Sequence, residues 1–408
     1  MDGNKTVARS TGAVGEKSAV RNRPDMVFSD SNDVLYLCGD RNKTQEQHLG
    51  HLVMPPELIA EWQNVMRSRA RWFEELGTEF LFMIGPDKQS VYWSALNIPQ
   101  PDHRNSLLVF NELSDVPWVD PVPALSAAPS SPAVYPAIDS HYDAVGAYVA
   151  YRALMERSAT HRSRILQPEE DFEYVEVEST GDLGNKLIPP RLGKYTKLKK
   201  TRMYAKPIYL NGVGGNGGFR VHHNRKGAGI GFLCGDSYSQ TIFPYIAEHF
   251  KFLIHLRAPI DRGFVRSVGP EMVIGMVAER FMMQPPVLSD DIPFEMLFIE
   301  KLARGRIRRE EISKGRREYD GSISLPAPVL AAIKRHDALA HVLLYPGQVT
   351  EEQQLFVGAP FDVATTADVI VAAYLSWALG SGFHSDWASL YAQLPELIRH
   401  KFEEICPA

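Results

Sequence analysis

Residues 230–256 read IGFLCGDSYSQTIFPYIAEHFKFLIHL. Ile230 to Cys234 is an apolar run of strand length, and Gly235-Asp236-Ser237 is a tight turn. Ile242, Phe243, Ile246, Ala247 and Phe250 then recur at the three- and four-residue steps that put side chains on one face of a helix. Phe252 to Leu256 follows as a second apolar strand, and Met272 to Val277 as a third. Strand, turn, helix, strand is the unit of a doubly wound α/β sheet, whose ligands sit at the carboxyl ends of the strands. Ser237, one turn beyond such an end and at the start of a helix, is therefore the first place to look for chemistry.

Working upstream, Leu58, Ile59, Trp62, Val65, Met66, Trp72, Phe73 and Leu76 predict a helix that starts near Pro55-Pro56-Glu57 and stops at Gly77. Phe80 to Ile84 is a buried strand, and helix followed by buried strand fits a parallel sheet. Val34 to Cys38 reads as another short strand. Residues 115–137, rich in Pro, Ala and Ser, read as a surface loop that delivers the chain to Asp139-Ser140-His141-Tyr142. Asp143 to Leu154 has helical composition, which sets His141 just before a helix, and Phe172 to Val177 alternates as a weak strand. The glycine run GVGGNGG (212–218) has neither the Lys-Ser/Thr nor the helix that a phosphate-cradling loop requires, so it reads as a turn. The basic run Lys194 to Arg202 reads as a solvated loop.

Gln284-Pro285-Pro286 marks a change of texture. Beyond it the pattern is mostly helical, over Phe294 to Arg317, Val329 to Leu344, Thr366 to Leu379 and Trp387 to Phe402, with a capping box at Thr350 and Gln353. The expected organisation is a polar tail over 1–30, a catalytic domain over 31–283 and a helical accessory region over 284–408.

The 408 residues are 44% hydrophobic and 23% charged, which excludes a disordered or multi-spanning chain. A net charge of −5 argues against nucleic acid as a partner. Cys38, Cys234 and Cys406 form no CxxC pair, so neither a disulfide framework nor a structural zinc site is expected. The first 25 residues are polar, and the most apolar window, Val369 to Leu379, is too short to span a bilayer. With no signal peptide or anchor legible, the expected location is the cytoplasm.

A serine at a strand-to-helix bend can attack an ester only with a histidine base and a group that orients that base. Asp139 and His141, two residues apart in one loop, are the best candidates, although Gly-Asp-Ser is also a common turn and Asp-x-His a common helix cap. His222-His223 together with Asp139 and His141 could be imagined as a metal cluster, but adjacent histidines point apart in most backbones. Cys234 is expected to be a buried apolar residue.

Two stretches, YPAIDSHYDAVGAYVAYRAL (135–154) and FLCGDSYSQTIFPYIAEHF (232–250), carry a resemblance. They resemble the Asp-x-His-Trp and Gly-Asp-Ser-Phe/Tyr motifs, in that order, of the SGNH-hydrolase-like polysaccharide O-acetyltransferases, the alginate acetylation proteins of the AlgJ and AlgX kind. VLYLCGDRN (34–42), FLFMIGPDKQSVY (80–92), Gly181-Asp182-Leu183-Gly184 and EMVIGMVAERF (271–281) add to the similarity. The resemblance implies a three-layer α/β/α domain over residues 31–283. It makes Ser237 the nucleophile, His141 the general base and Asp139 its orienting carboxylate, while Asp236 serves the turn. The implied reaction is acetyl transfer through an acyl-serine to a carbohydrate of an exopolysaccharide system. No cofactor or metal is implied, and the donor side could involve a membrane acyltransferase partner.

Tyr142 and Tyr238 from the two motifs, with Arg257, Arg266 and Arg280, are the candidate substrate contacts, and Arg262 belongs to the same basic stretch. Tyr142 stands where the family has Trp. The family's periplasmic location sets it apart from a chain without a legible signal, and the C-terminal region does not read like the β-sandwich carbohydrate module of AlgX. Two other readings stay open. One is a carbohydrate or small-ester deacetylase, and the other is a non-catalytic sugar-binding scaffold with the same fold.

Overall fold

The computed structural model describes residues 23–96, 104–129, 132–284, 294, 312 and 314–344. The chain opens with β1 (Val27–Ser29), paired antiparallel to β2 (Leu35–Leu37), followed by α1 (Thr44–His48). The expected tail thus contains packed residues, since Met26 and Val27 pack with Leu35, Leu37, Ile138 and Leu183 in a small apolar cluster. The long helix α2 (Pro56–Glu75) carries proline at its first position and stops before Gly77, whose φ of 65° is the left-handed conformation that ends a helix. It buries Leu58, Trp62, Met66 and Phe73, the spacing read from the sequence. Next come β3 (Glu79–Gly85), α3 (Lys88–Val91) and α4 (Asn105–Phe110).

The stretch expected as a bare loop over 115–137 holds two elements, β4 (Trp118–Val119) and α5 (Val122–Ala127). Val119 pairs beside Met83 of β3, Val134 and Tyr135 are buried, and Pro123 suits the first turn of the short helix. Then follow α6 (Ala144–Met155), β5 (Phe172–Ser179), α7 (Gly181–Gly184) and β6 (Gly193–Lys200). The basic run is therefore a strand rather than a loop. It pairs antiparallel with β5, setting Lys199 2.8 Å from Glu173 and Lys194 3.0 Å from Glu176.

The rest of the main sheet is β7 (Lys206–Asn211), β8 (Phe219–His223), β9 (Ala228–Cys234), α8 (Ser237–Ile246), β10 (Phe250–Leu256), α9 (Arg262–Val268) and β11 (Met272–Ala278). Phe250 opens β10 instead of closing the helix face, since α8 ends at Ile246. Beyond residue 284 the described chain adds β12 (Arg316–Arg317), a strand inside a stretch read as helix, and α10 (Ala327–Leu344). The capping box at 350–353 and the helices read over 366–379 and 387–402 lie outside the described residues, as does Cys406.

Among the described residues the main sheet has eight strands in the order β12-β7-β8-β10-β9-β11-β3-β4, with parallel pairing from β10 to β4 and antiparallel pairing from β10 to β12. Period-two alternation sorts β3 into Phe80, Phe82 and Ile84 on one face and Leu81 and Met83 on the other. The first face packs on α2, α4, α9 and α10, and the second on α6 and α8, giving three layers with an apolar core on each side of the sheet. Phe294, Val329 and Ile333 sit in the first core, so the described part beyond residue 284 packs into the same body.

Gly146 in α6 shows how close the layers lie. A Cβ there would fall on the carbonyl oxygen of Val134 and against Tyr142, the residue that follows His141. Glycine to alanine inside a helix ordinarily stabilises by about 1 kcal/mol. Here the clash reverses the sign, and Gly146→Ala is expected to cost about 1–3 kcal/mol in urea denaturation. A stabilised variant would show that the contact between α6 and the 134–142 segment is loose.

Candidate active site

β9 ends at Cys234, and Gly235, at φ 156° with Met276 occupying the space a side chain would need, makes the bend into α8. The Asp236 carboxylate caps the helix, accepting from Tyr238 N–H at 2.9 Å, and also accepts from Ala278 N–H at the end of β11. One side chain thereby ties the bend to the neighbouring strand, which is the turn role expected for it. The Ser237 hydroxyl emerges at the mouth of a cavity of about 460 Å³ among the ends of β9, β10 and β11. Its lining includes apolar Trp62, Phe82, Ile260 and Met276 together with Asn216, Arg69 and Arg257.

The 138–143 segment reaches the same point from the α6 side. Tyr238, fully buried, donates its hydroxyl to the Ser140 carbonyl at 2.9 Å and sets its ring 5.0 Å from that of His141. Asp143 caps α6 by accepting from Val145 N–H at 2.9 Å. Between these anchors His141 Nε2 lies 2.7 Å from Ser237 Oγ, and His141 Nδ1 lies 3.0 Å from Asp139 Oδ1. Asp139 also accepts from the His141 backbone N–H at 2.9 Å and from Asp182 N–H at 3.0 Å.

Asp182 is the residue sequence reasoning missed, although the GDLG segment containing it had been noted. Its carboxylate accepts from Ser140 N–H at 2.6 Å and from Ser140 Oγ–H at 2.7 Å, which fixes the loop on the far side of Asp139. Burial raises the Asp139 carboxyl above its ordinary range, with the neighbouring Asp182 charge adding to it and the His141 contact opposing. For Asp182 burial pushes the same way, but His141 and the Ser140 donors outweigh it and hold the carboxyl well below the usual range.

Of the five expected substrate contacts, Arg257 lines the Ser237 cavity and the others stand elsewhere. Tyr142 and Tyr238 are fully buried, so they shape the loop and offer no surface to a ligand. Arg280 is buried against Asp87, with its guanidinium 5.6 Å from the Tyr238 ring. Arg266 is exposed on α9, 5.8 Å from the Trp72 ring, and Arg262 lies 5.4 Å from the same ring.

Among the described residues, two groups have the donor set and spacing for a cation, and neither includes His222 or His223. One is Asp139, His141 and Asp182, whose donor atoms are already committed to each other and to Ser140. The other is His48, Asp87 and Glu279, where Arg104 and Arg280 already balance the carboxylates.

The family model described as SGNH hydrolase-like domain, acetyltransferase AlgX, matches residues 51–258. The chain belongs to this family. Acetyl transfer is the activity class that goes with it, and a carbohydrate is the implied acceptor. No curated protein matches the sequence. Among solved structures, Bacillus cereus PatB1 aligns with a TM-score of 0.51 at 13% identity, over 64% of this chain and 99% of that one. PatB1 with a sulfonyl adduct aligns with a TM-score of 0.53 at 12% identity, over 65% and 98%. The O-acetyltransferase domain of Pseudomonas putida AlgJ gives 0.41 at 14% identity, over 71% and 97%. The PatB1 alignments establish a shared fold.

Glu279, one residue beyond the Ala278 amide that holds Asp236, stabilises this end of the sheet in a pH-dependent way. Burial works to raise its carboxyl, but Arg104 at 2.7 Å and the nearby His48 ring outweigh it and hold it down at about 2. A lowered folded value means the stabilisation is complete above the ordinary value of 4.5 and is lost as the pH falls toward 2, a span worth about 3 kcal/mol. Glu279→Gln should be less stable at pH 7 and lose less between pH 5 and 3, measured by urea midpoints. An acid limb as steep as that of the wild type would assign the loss to other carboxylates.

Proposed function

We propose that the protein transfers an acetyl group to a carbohydrate hydroxyl through an acyl-enzyme on Ser237, with His141 as general base and Asp139 as the carboxylate that orients it. The observation that carries this reading is the 2.7 Å contact between Ser237 Oγ and His141 Nε2, made while Nδ1 is engaged by Asp139. A bond from Nδ1–H to the carboxylate leaves Nε2 with its lone pair toward the serine, the tautomer a base requires.

In the first half-reaction Ser237 Oγ bonds to the acetyl carbonyl carbon and gives its proton to His141 Nε2. The oxyanion forms at the amino end of α8, where the Ser237 N–H and the helix dipole favour negative charge. Collapse expels the donor's leaving group, which takes the proton from His141. A sugar hydroxyl then loses its proton to His141 and attacks the acyl carbon, and Ser237 leaves with that proton. Water in place of the sugar would make the same site an acetylesterase. Delivery of the acetyl group by a membrane acyltransferase partner belongs to this proposal, as does the division into a catalytic 31–283 region and an accessory 284–408 region.

Intact-protein mass spectrometry after incubation with an activated acetyl ester tests the reading. An acetyl adduct that maps to Ser237 and discharges onto oligosaccharides is expected. Ser237→Ala should abolish the adduct, and His141→Ala should slow its formation by about a thousandfold or more. Equal ester turnover by wild type and Ser237→Ala would refute the acyl-enzyme and leave a sugar-binding scaffold as the better account. Faster discharge to water than to any sugar would make the protein an esterase.

A further inference from the structure

Two guanidinium groups, Arg257 buried and Arg220 half-buried, have no role in that cycle. Arg257, just past β10, is 7% exposed, and its backbone is fixed by bonds to Gly217 and Gly218 of the glycine run. Its Nε is buried with no hydrogen-bond partner. Arg220, on β8, donates from Nε to His255 Nδ1 at 2.7 Å and lies 4.4 Å over the Phe243 ring. Among the described residues its two Nη groups have no acceptor, and neither arginine has an ion-pair partner. The carboxylate that acts on Arg257 is Asp236, whose oxygens are already taken by the amides of Tyr238 and Ala278.

The pair is held in place. Because His255 accepts from Arg220 at Nδ1, its Nε2–H donates to Ser239 Oγ at 2.8 Å, and that hydroxyl donates to the Asp236 carbonyl at 2.7 Å. A chain of bonds thus runs from the residue before Ser237 to the Arg220 guanidinium. Both arginines face a second cavity of about 220 Å³, edged by the backbone of Gly212, Gly214 and Gly218. That volume exceeds the roughly 150 Å³ of a cavity that admits benzene. Arg257 stands in the wall of this cavity and of the Ser237 cavity alike.

Two like charges on the wall of one cavity, one buried and one half-buried and without a counter-charge, are costly to a fold. Burial pushes both guanidinium groups below their ordinary value, Arg220 to about 10, with the charge of Arg257 contributing to the latter. An anion in the cavity between them removes the cost, and guanidinium pairs bind carboxylate and phosphate oxygens through parallel N–H bonds. We propose that Arg220 and Arg257 form an oxyanion-binding pocket beside Ser237, which takes the carboxylate or phosphate of a substrate whose reacting end lies at the serine. Its role in catalysis rests on the acyl-transfer reading, whereas the binding itself does not.

Thermal unfolding at constant ionic strength tests it, with inorganic phosphate and glucuronate as probes against chloride. In the wild type a saturable rise in Tm is expected with at least one probe. Phosphate alone would point to a phosphorylated donor, and glucuronate alone to an acidic acceptor. Arg257→Gln and Arg220→Gln, on different elements, should each abolish the rise. In chloride Arg257→Gln should melt about 2 °C higher than the wild type, because the buried one of two like charges is gone. Ser237→Ala should keep the rise while losing ester turnover, so the pocket and the acyl-enzyme stand or fall separately. No rise with either probe in the wild type, or an undiminished rise in both arginine variants, would overturn the proposal.

Discussion

The hydroxyl of Tyr238 holds two distant parts of the chain in register. It donates to the carbonyl of Ser140, 98 positions away, from inside a core where no water competes. The serine follows the bend at Gly235, and the histidine follows the segment leading into α6. Neither loop by itself places its functional group. The adjacent ring of Tyr238 fills the space behind His141, so one side chain sets both the distance between the loops and the direction the imidazole faces. Arg280 and Asp87 lie beneath that ring and extend the support to the ends of β3 and β11.

Much of this was legible in the sequence because it is written locally. Strand, tight turn and helix around Ser237 are specified by short-range periodicity and a glycine, and the same holds for α2, β3 and the start of α6. The pairing of Ser237 with His141 was inferred from the order of two motifs, since no local pattern encodes a contact across 96 residues. Asp182 escaped for the same reason. Its function lies in accepting from Ser140, 42 positions earlier, and a GDLG tetrapeptide read alone is only a turn.

The misplaced substrate contacts have a different cause. Aromatic and basic residues next to a motif look available in sequence, but the positions beside a nucleophile also hold it in place. Tyr142, Tyr238 and Arg280 are consumed in that way, and Arg266 faces outward on α9. The basic strand β6 was read as a loop because charge was taken for exposure alone. Lys199 and Lys194 stand opposite Glu173 and Glu178 of β5, and cross-strand pairs of opposite charge support a strand as an apolar face does. Arg220 was not singled out at all, since a lone arginine in a strand gives no hint that a second will stand across a cavity from it.

Among the described residues both margins of the sheet are two residues long, Trp118–Val119 at one side and Arg316–Arg317 at the other. A long bare strand invites another chain to add to it, and a very short one gives an incoming strand almost nothing to pair with. The second margin is supplied by the region beyond residue 284, whose Arg316 pairs with Asn211 at the foot of the glycine run. That region thereby closes the Leu210–Asn211 end of β7, a stretch whose amides and carbonyls would otherwise be open to another strand.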